Sequence, residues 1–314
     1  MIGPTRDQIR TEALRIGFAA CGFAGLEPSI RGDALDDWLA AGHAGLMRYL
    51  HRQKKKRKLP ANITPGARSA VVLLENYTAP PHERPQPEDR WQVASYARGM
   101  DYHIVTHGRL HQLSEWMKGQ GAELAHTWID DSPVPERELA ERAGLGWIGK
   151  NTMLISPTIG SWTFIGTIFT SLELAPDLDG VADHCGSCTR CLDACPTDAL
   201  LGGYTLDATR CLSYLTIECR DDPPAELVPR FEEWAFGCDI CNTVCPWNIK
   251  FATPTSVPEF ARRPAPDRRD PAFFAAMSDA DFQRQFADTA LARPGLDRMR
   301  RNVRLATSSH LEES

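Results

Sequence analysis

The chain has 314 residues, 42% of them hydrophobic, with 35 basic and 41 acidic side chains and a net charge of −6. That length supplies core for two or three domains, and the acidic balance excludes a global pull toward nucleic acid, so an RNA partner would have to meet a local basic patch. The first twenty residues carry scattered charges, and the longest aliphatic run, "AVVLL" (70–74), is far too short to cross a bilayer; no signal peptide or membrane span is read, a reducing cytoplasm is expected, and ten cysteines there point to metal rather than disulfides.

Along the chain, Cys21 in the apolar "GFAACGFAG" reads as an inert buried thiol. "DALDDWLAAGHAGLMRYL" (33–50) has Leu35, Trp38, Leu39, Leu46 and Leu50 at helical spacing, with Asp33 placed to cap one helix. "SAVVLLENY" (69–77) reads as a buried strand, 102–118 as a helix and 123–130 as a strand, so the N-terminal part is α/β in character. "GLGWIG" (144–149) satisfies a dinucleotide-binding pattern, but it follows the helical "ERELAERA" and runs into the β-leaning "NTMLIS". A Rossmann site needs the opposite order, strand before and helix after, so a glycine-rich turn admitting backbone to a bulky flat ligand is expected. "SWTFIGTIFT" (161–170) has strand-forming residues and leads into the linker "LELAPDLDG".

The densest chemistry follows. Cys185, Cys188, Cys191 and Cys195 stand as C-x2-C-x2-C-x3-C-P, the bacterial ferredoxin spacing, in which three thiolates grip one [4Fe–4S] cube and the fourth reaches another. "CDICNTVCPW" (238–247) supplies Cys238, Cys241 and Cys245 with the same ending, but Ala235 stands where a second complete motif would begin. The missing ligand has to come from the insert, where spacing alone leaves Cys211 and Cys219 open; the working assignment is Cys211. Crossing over the fourth cysteines groups Cys185, Cys188, Cys191 and Cys245 on one cube, and Cys195, Cys211, Cys238 and Cys241 on the other. Paired zinc sites are the bland alternative, and zinc motifs rarely interlock in this way.

"IDDSPVPERELAERAGLGWIGKNT" (129–152), "YARGMDYH" (96–103), the doubled cysteine motif, "RCLSYLTIE" (210–218) and "CPWN" (245–248) together resemble the epoxyqueuosine reductases over roughly residues 5–305. The resemblance implies an α+β chain: an α/β cobalamin-binding catalytic domain (1–176), a ferredoxin-like two-cluster domain (177–250) and a short helical C-terminal segment (251–314), shortened relative to the family. It implies the last step of queuosine synthesis on tRNA, epoxide plus two electrons and two protons giving alkene and water, with cobalamin reduced through the two [4Fe–4S] clusters by an external electron donor. By position in the motif Asp130 is the proton donor; at the end of an apolar strand its proton would be retained near neutrality, with Asp131 on the opposite face. Glu136 and Arg137 read as structural. Cobalamin contacts implied are Tyr96, Lys150, Asn151 and Ser213, with Asp130 facing cobalt. "DYHIVT" resembles the start of a cobalt-ligating D-x-H-x-x-G element, but Thr106 replaces the glycine, so no protein histidine is expected on the lower face.

Leu59, where the family shows aspartate, and Asn242, where glutamine is usual, depart from the family pattern. Residues 257–304 carry ten arginines against seven acids; Arg298, Arg300 and Arg301 there, Arg220 near the pocket mouth and the run "RQKKKRK" (52–58) are the expected tRNA phosphate contacts. A monomer with no membrane association is expected. The competing readings are a cobalamin-dependent reductive dehalogenase and a non-enzymatic ferredoxin-type electron carrier.

Overall fold

The computed structural model describes residues 3–79, 86, 88–177, 180–260 and 268–308. Helix α1 (Arg6–Ile16) starts on a reciprocal cap in which Thr5 Oγ1 accepts the Gln8 amide and Gln8 Oε1 accepts the Thr5 amide. It stops at Gly17, whose φ of 112° ends the helix in the left-handed region. Strand β1 (Ala20–Gly25) follows, then helices α2 (Gly32–Ala40) and α3 (Arg48–Lys58). The single helix expected over 33–50 is thus two. Gly42 and Gly45 take positive φ, and the Gly45 backbone passes so close to Tyr214 that a Cβ there would sit 2.3 Å from its hydroxyl. Leu46 N donates to that same oxygen at 2.7 Å, so a distant tyrosine organises the break. Asp33 makes no cap; the α2 N-cap position is Arg31.

Strand β2 (Ser69–Asn76) is buried nearly throughout because both of its faces are covered. Val71 and Leu73 pack with Ile9 and Ala13 of α1 and with Leu110, Leu113 and Met117 of α4 (Tyr102–Gly119). Ala70, Val72 and Leu74 pack on the other side against Leu139 and Ala140 of α5 (Glu136–Arg142). Between them run the short β3 (Gln92–Val93) and β4 (Ala125–Trp128); after α5 come the hairpin β5 (Trp147–Ile148) and β6 (Leu154–Ile155), then β7 (Thr163–Thr170). The main sheet has the order β1-β2-β7-β4 with every pairing antiparallel. It is an α+β arrangement with helices on both faces; the strands expected at 69–77 and 161–170 and the 102–118 helix fall where the hydrophobic pattern put them, while the strand expected over 123–130 stops at Trp128.

The cysteine-bearing stretch folds as two similar halves. Helix α6 (Arg190–Asp193) carries Cys191, and the hairpin β8 (Leu200–Gly202) and β9 (Thr205–Leu206) leads to α7 (Leu212–Ile217), whose N-cap residue is Cys211. Strand β10 (Trp234–Phe236) precedes α8 (Ile240–Thr243), which carries Cys241, and α9 (Pro246–Phe251), whose N-cap residue is Cys245. Helices α10 (Asp279–Phe286) and α11 (Leu296–Ser308) close the described chain. They do not form a separate appendage: Phe274, Phe282, Phe286, Met299 and Val303 share one core with Trp91, Val93, Ala97 and Phe236. The expected boundary at 251 therefore cuts through a hydrophobic cluster.

The halves of the molecule are bolted by buried amides. Ser161 Oγ donates to Asn242 Oδ1 (3.0 Å), Asn248 Nδ2 to Ser161 Oγ (2.8 Å) and Asn151 Nδ2 to Asn242 Oδ1 (3.4 Å). All four residues are buried, so each bond offsets a desolvation cost that water would otherwise meet. Trp38 Nε1 adds a bond to the Leu206 carbonyl at 2.6 Å.

Candidate active site

A cavity of about 420 Å³ opens where the ends of β4 and β7 face α7, β10 and the C-terminal core. Its floor is aromatic. Tyr102 stacks on Phe164 with ring centres 4.3 Å apart, Phe164 meets Tyr77 at 4.4 Å, and Tyr96 bridges Tyr102 and Phe236. Burial, reinforced by the nearby Asp130 charge, pushes the Tyr96 and Tyr102 hydroxyls far above their ordinary range, so both are donors and not phenolates.

Asp130 lies at one wall, and its setting differs from the strand expected for it. β4 ends at Trp128, and Asp130 takes φ +49° in the turn that follows. The residue is solvent-exposed, not buried, and its orientation is set by two bonds: Tyr102 Oη donates to Asp130 Oδ2, and the Asp130 amide donates to Glu136 Oε1 at 2.7 Å. Asp131 does not alternate to an opposite strand face. It lies in the same turn, its Oδ1 accepts the Ile129 amide, and it lines with Asp130 a polar vestibule of about 290 Å³. Tyr49, Gln53 and Arg57, one face of α3, form the vestibule's other side; Arg57 Nη2 donates to the Ser132 carbonyl and braces the turn. Glu218 and Arg293, an ion pair, border both spaces.

Glu136, read from the sequence as structural, lines the cavity. Burial, followed by the adjacent Asp130 charge, pushes its carboxyl up to about 8. The helix-start position was legible in the sequence; the six-residue return that folds it back under Asp130 was not. Arg137 does pair internally, donating to the Thr152 carbonyl at 3.1 Å. His103 also borders the cavity, but its Nδ1 lies 2.8 Å from Asp101 Oδ1, the N-cap of α4. Burial opposes its charge, and the Asp101 pairing outweighs that, so its proton affinity is raised.

Of the residues expected around a corrin, Tyr96, Ser213 and Asp130 line the cavity. Lys150 and Asn151 do not. Lys150 Nζ donates to the carbonyls of Gly186 (2.6 Å) and Cys188 (3.0 Å), setting a positive charge against the first cysteine loop. Asn151 belongs to the amide bolt. "GLGWIG" likewise serves packing: a Cβ at Gly146 would lie 2.2 Å from the Ile155 carbonyl oxygen, so its glycine admits β6, not a ligand.

The cysteines gather into two neighbourhoods. Cys245 lies within electrostatic reach of Cys185 and Cys188, and Cys191 of Cys185 and Cys245. Cys241 lies near Cys211, Cys191 and Cys195, and Cys238 near Cys241 and Cys211. Burial first, with neighbouring cysteines adding to it, raises the thiols of Cys191, Cys238, Cys241 and Cys245; crowded sulfurs of this kind suit a soft metal cluster that takes up their negative charge. Cys219 turns away, its thiol donating to the Asp221 carbonyl at 3.3 Å. Cys21 is buried apart, with its thiol pushed up to about 12 by burial. Cys211 also lines the cavity, so one wall of the pocket is continuous with the second sulfur group.

The arginines divide. Arg298 donates to the carbonyls of Pro294, Ile217 and Arg293, Arg300 to those of Phe274 and Met277, and Arg301 to those of Leu215, Cys219 and Asp221. All three clamp α11 onto its neighbours through these carbonyls. Arg220 is exposed and has no partner among the described residues, as do Arg48, Arg52, Lys55 and Lys56 on the outer face of α3. Arg262 and Arg263 lie outside the described residues.

A two-cluster cysteine framework opening into a substrate-sized cavity is the plan of an iron–sulfur oxidoreductase. Residues 184–248 match the family profile "4Fe-4S double cluster binding domain", and 57–132 match "Epoxyqueuosine reductase QueG, DUF1730". An epoxyqueuosine reductase of Cellulophaga algicola is 37% identical over 306 residues, covering 95% of this chain and 96% of the relative. The crystal structure of an epoxyqueuosine reductase with an epoxyqueuosine-modified tRNA-Tyr stem loop superposes with a TM-score of 0.88 at 28% identity, over 97% of this chain and 81% of that one. A Bacillus subtilis epoxyqueuosine reductase, solved with its catalytic aspartate loop swung out of the active site, gives 0.87 at 29% identity, over 98% and 83%. The chain belongs to the epoxyqueuosine reductase family. Among the described residues no helix is long and apolar enough to cross a membrane.

Proposed function

We propose that the protein reduces epoxyqueuosine to queuosine at the wobble position of tRNA, with cobalamin in the cavity, two [4Fe–4S] clusters beside it and Asp130 as proton donor. The observation that carries the reading is one cavity bounded by Asp130 on one wall and Cys211 on another. The aromatic floor and polar rim fit a flat, largely apolar macrocycle with amide edges, and Tyr96 and Ser213 would hold it. Bound there, cobalamin would supply a reduced metal nucleophile toward an epoxide carbon. The chain's own residues do the rest. Cys185, Cys188, Cys191 and Cys245 hold the first cube; Cys195, Cys211, Cys238 and Cys241 hold the second, closer to the pocket. Tyr102 fixes the Asp130 carboxyl at the wall, from which it protonates the oxygen released as the epoxide opens. The Tyr49–Gln53–Arg57 face receives a nucleotide turned out of its stack, and Arg220 with Arg48, Arg52, Lys55 and Lys56 meets the phosphates. The cocrystallised relative carries the corresponding RNA, and the Bacillus subtilis structure attributes catalysis to an aspartate loop. A pure electron carrier would leave this cavity without a purpose.

Anaerobic reconstitution with iron, sulfide and cobalamin, then nucleoside analysis of an epoxyqueuosine-bearing stem loop under strong reductant, tests the reading. Stoichiometric queuosine is expected. An unchanged epoxide with corrin and iron both bound would overturn it.

A further inference from the structure

The reduction consumes two protons: opening of the C–O bond leaves an alkoxide that takes one, and departure of that oxygen as water takes the other, while the two electrons arrive from the external donor. A single carboxyl at the wall must therefore be recharged inside the site. Glu136 is placed to matter here. It begins α5, it lines the same cavity as Asp130, and its Oε1 accepts the Asp130 amide hydrogen at 2.7 Å across six residues of chain. That bond closes the turn in which Asp130 holds φ +49°, a backbone position that a non-glycine residue keeps only when its surroundings enforce it.

We propose that Glu136 is a positioning residue for Asp130: by accepting the Asp130 amide hydrogen, the Glu136 carboxyl keeps the turn closed and holds the Asp130 side chain at the cavity wall. The inference rests on Asp130 as donor and adds the residue that makes the donor work. Three charged groups face Glu136: Asp130 from the turn, Arg137 from its own helix and Arg57 from α3. Both cations are engaged with carbonyls, Arg137 with Thr152 and Arg57 with Ser132, so neither closes an ion pair with the glutamate. Burial and the neighbouring carboxylate then dominate, and Glu136 is pushed up to about 8.

The direction follows. An acid whose proton affinity is raised stays protonated at neutrality and discharges as pH rises, so single-turnover reduction of stem-loop RNA by the reconstituted holoenzyme falls above about pH 8. Glu136→Gln keeps an oxygen to accept the amide but has no carboxyl to titrate, so the alkaline limb that belongs to Glu136 disappears. Glu136→Ala loses the acceptor as well and is slower across the whole range, and the Gln variant rescues that part. Iron and corrin content report whether each variant is assembled. Infrared difference spectra between about pH 6 and pH 10 read the Glu136 carboxyl directly: a carboxylic carbonyl band that disappears on alkalinisation is expected in the wild type and absent from Glu136→Gln. A Glu136→Gln enzyme with the wild-type rate, pH profile and band overturns the inference. Full activity in Asp130→Asn would instead sink the donor assignment on which the inference rests, and with it the positioning role.

Discussion

Asp130 sits in a left-handed turn because β4 ends two residues earlier, and a tyrosine one helix away holds its carboxyl. Asp130→Asn keeps the size and the hydrogen-bond acceptor but has no carboxylic proton. Turnover is expected to fall by about 10²–10⁴ with iron and corrin retained; wild-type turnover would show another donor. Tyr102→Phe removes one hydrogen bond to the Asp130 carboxyl, worth about 0.5–1.5 kcal/mol, and leaves the stacking on Phe164. It should lower the chemical step by roughly two- to tenfold, with little effect on RNA affinity, as read by single-turnover rates and RNA titration. Among the cysteines, Cys211 faces its sulfur neighbours and Cys219 bonds a carbonyl. Cys211→Ala is expected to leave about four irons per chain and Cys219→Ala about eight, from cubes of four. The reverse counts would transfer the ligand role to Cys219, and zinc in place of iron would remove the clusters altogether.

At the scale of elements, the two basic stretches that charge density alone marked as phosphate contacts part company. α11 carries the arginine-rich C-terminal sequence, yet three of its arginines are spent on carbonyls of α7, the 218–221 turn and the Phe274–Met277 loop. Arg301→Ala should therefore destabilise the fold, by about 1.5–3 kcal/mol for its charged hydrogen bonds, seen as a melting temperature lower by several degrees. Arg220→Ala should leave melting unchanged and weaken RNA binding, reducing the slope of log affinity against log salt by about one. If Arg220→Ala binds RNA as the wild type does at every salt concentration, its phosphate role is refuted. α3 shows why its face matters as much as its charge. Residues 49, 53 and 57 point into the vestibule while 48, 52, 55 and 56 point to solvent, so one helix can contact both nucleotide and phosphates.

For the whole molecule, the cluster-bearing stretch and the sheet are joined by a small set of buried polar groups centred on Asn242. Asn242→Ala strands the partners Ser161 and Asn151 in a dry interface, at a cost of about 1–3 kcal/mol for each group left unsatisfied. Looser attachment should appear as faster iron loss in air and earlier proteolysis between the two parts; unchanged iron retention would show that the apolar contacts suffice. The cluster motif, the strands of the main sheet and the long α4 were legible because their signals are local: cysteine spacing matches the geometry of one cube, and apolar runs mark what must be buried. The sequence by itself also determined the family, through motifs spread along nearly the whole chain, and located Asp130, Tyr96 and Ser213 in the motifs that line the cavity. Tertiary structure decided the rest. Which carbonyl an arginine or lysine reaches depends on backbone 23 to 86 residues away, so Arg298, Arg300, Arg301 and Lys150 could not be assigned from their own neighbourhoods. A glutamate at a helix start looks like a dipole partner until a turn folds an aspartate amide onto it. The break after α2, the close β5–β6 approach at Gly146 and the shared core of α11 with residues 91–97 arise in the same way, since each is set by a contact between segments far apart in the chain, and burial of one segment by another is a property of the folded assembly and not of either sequence alone.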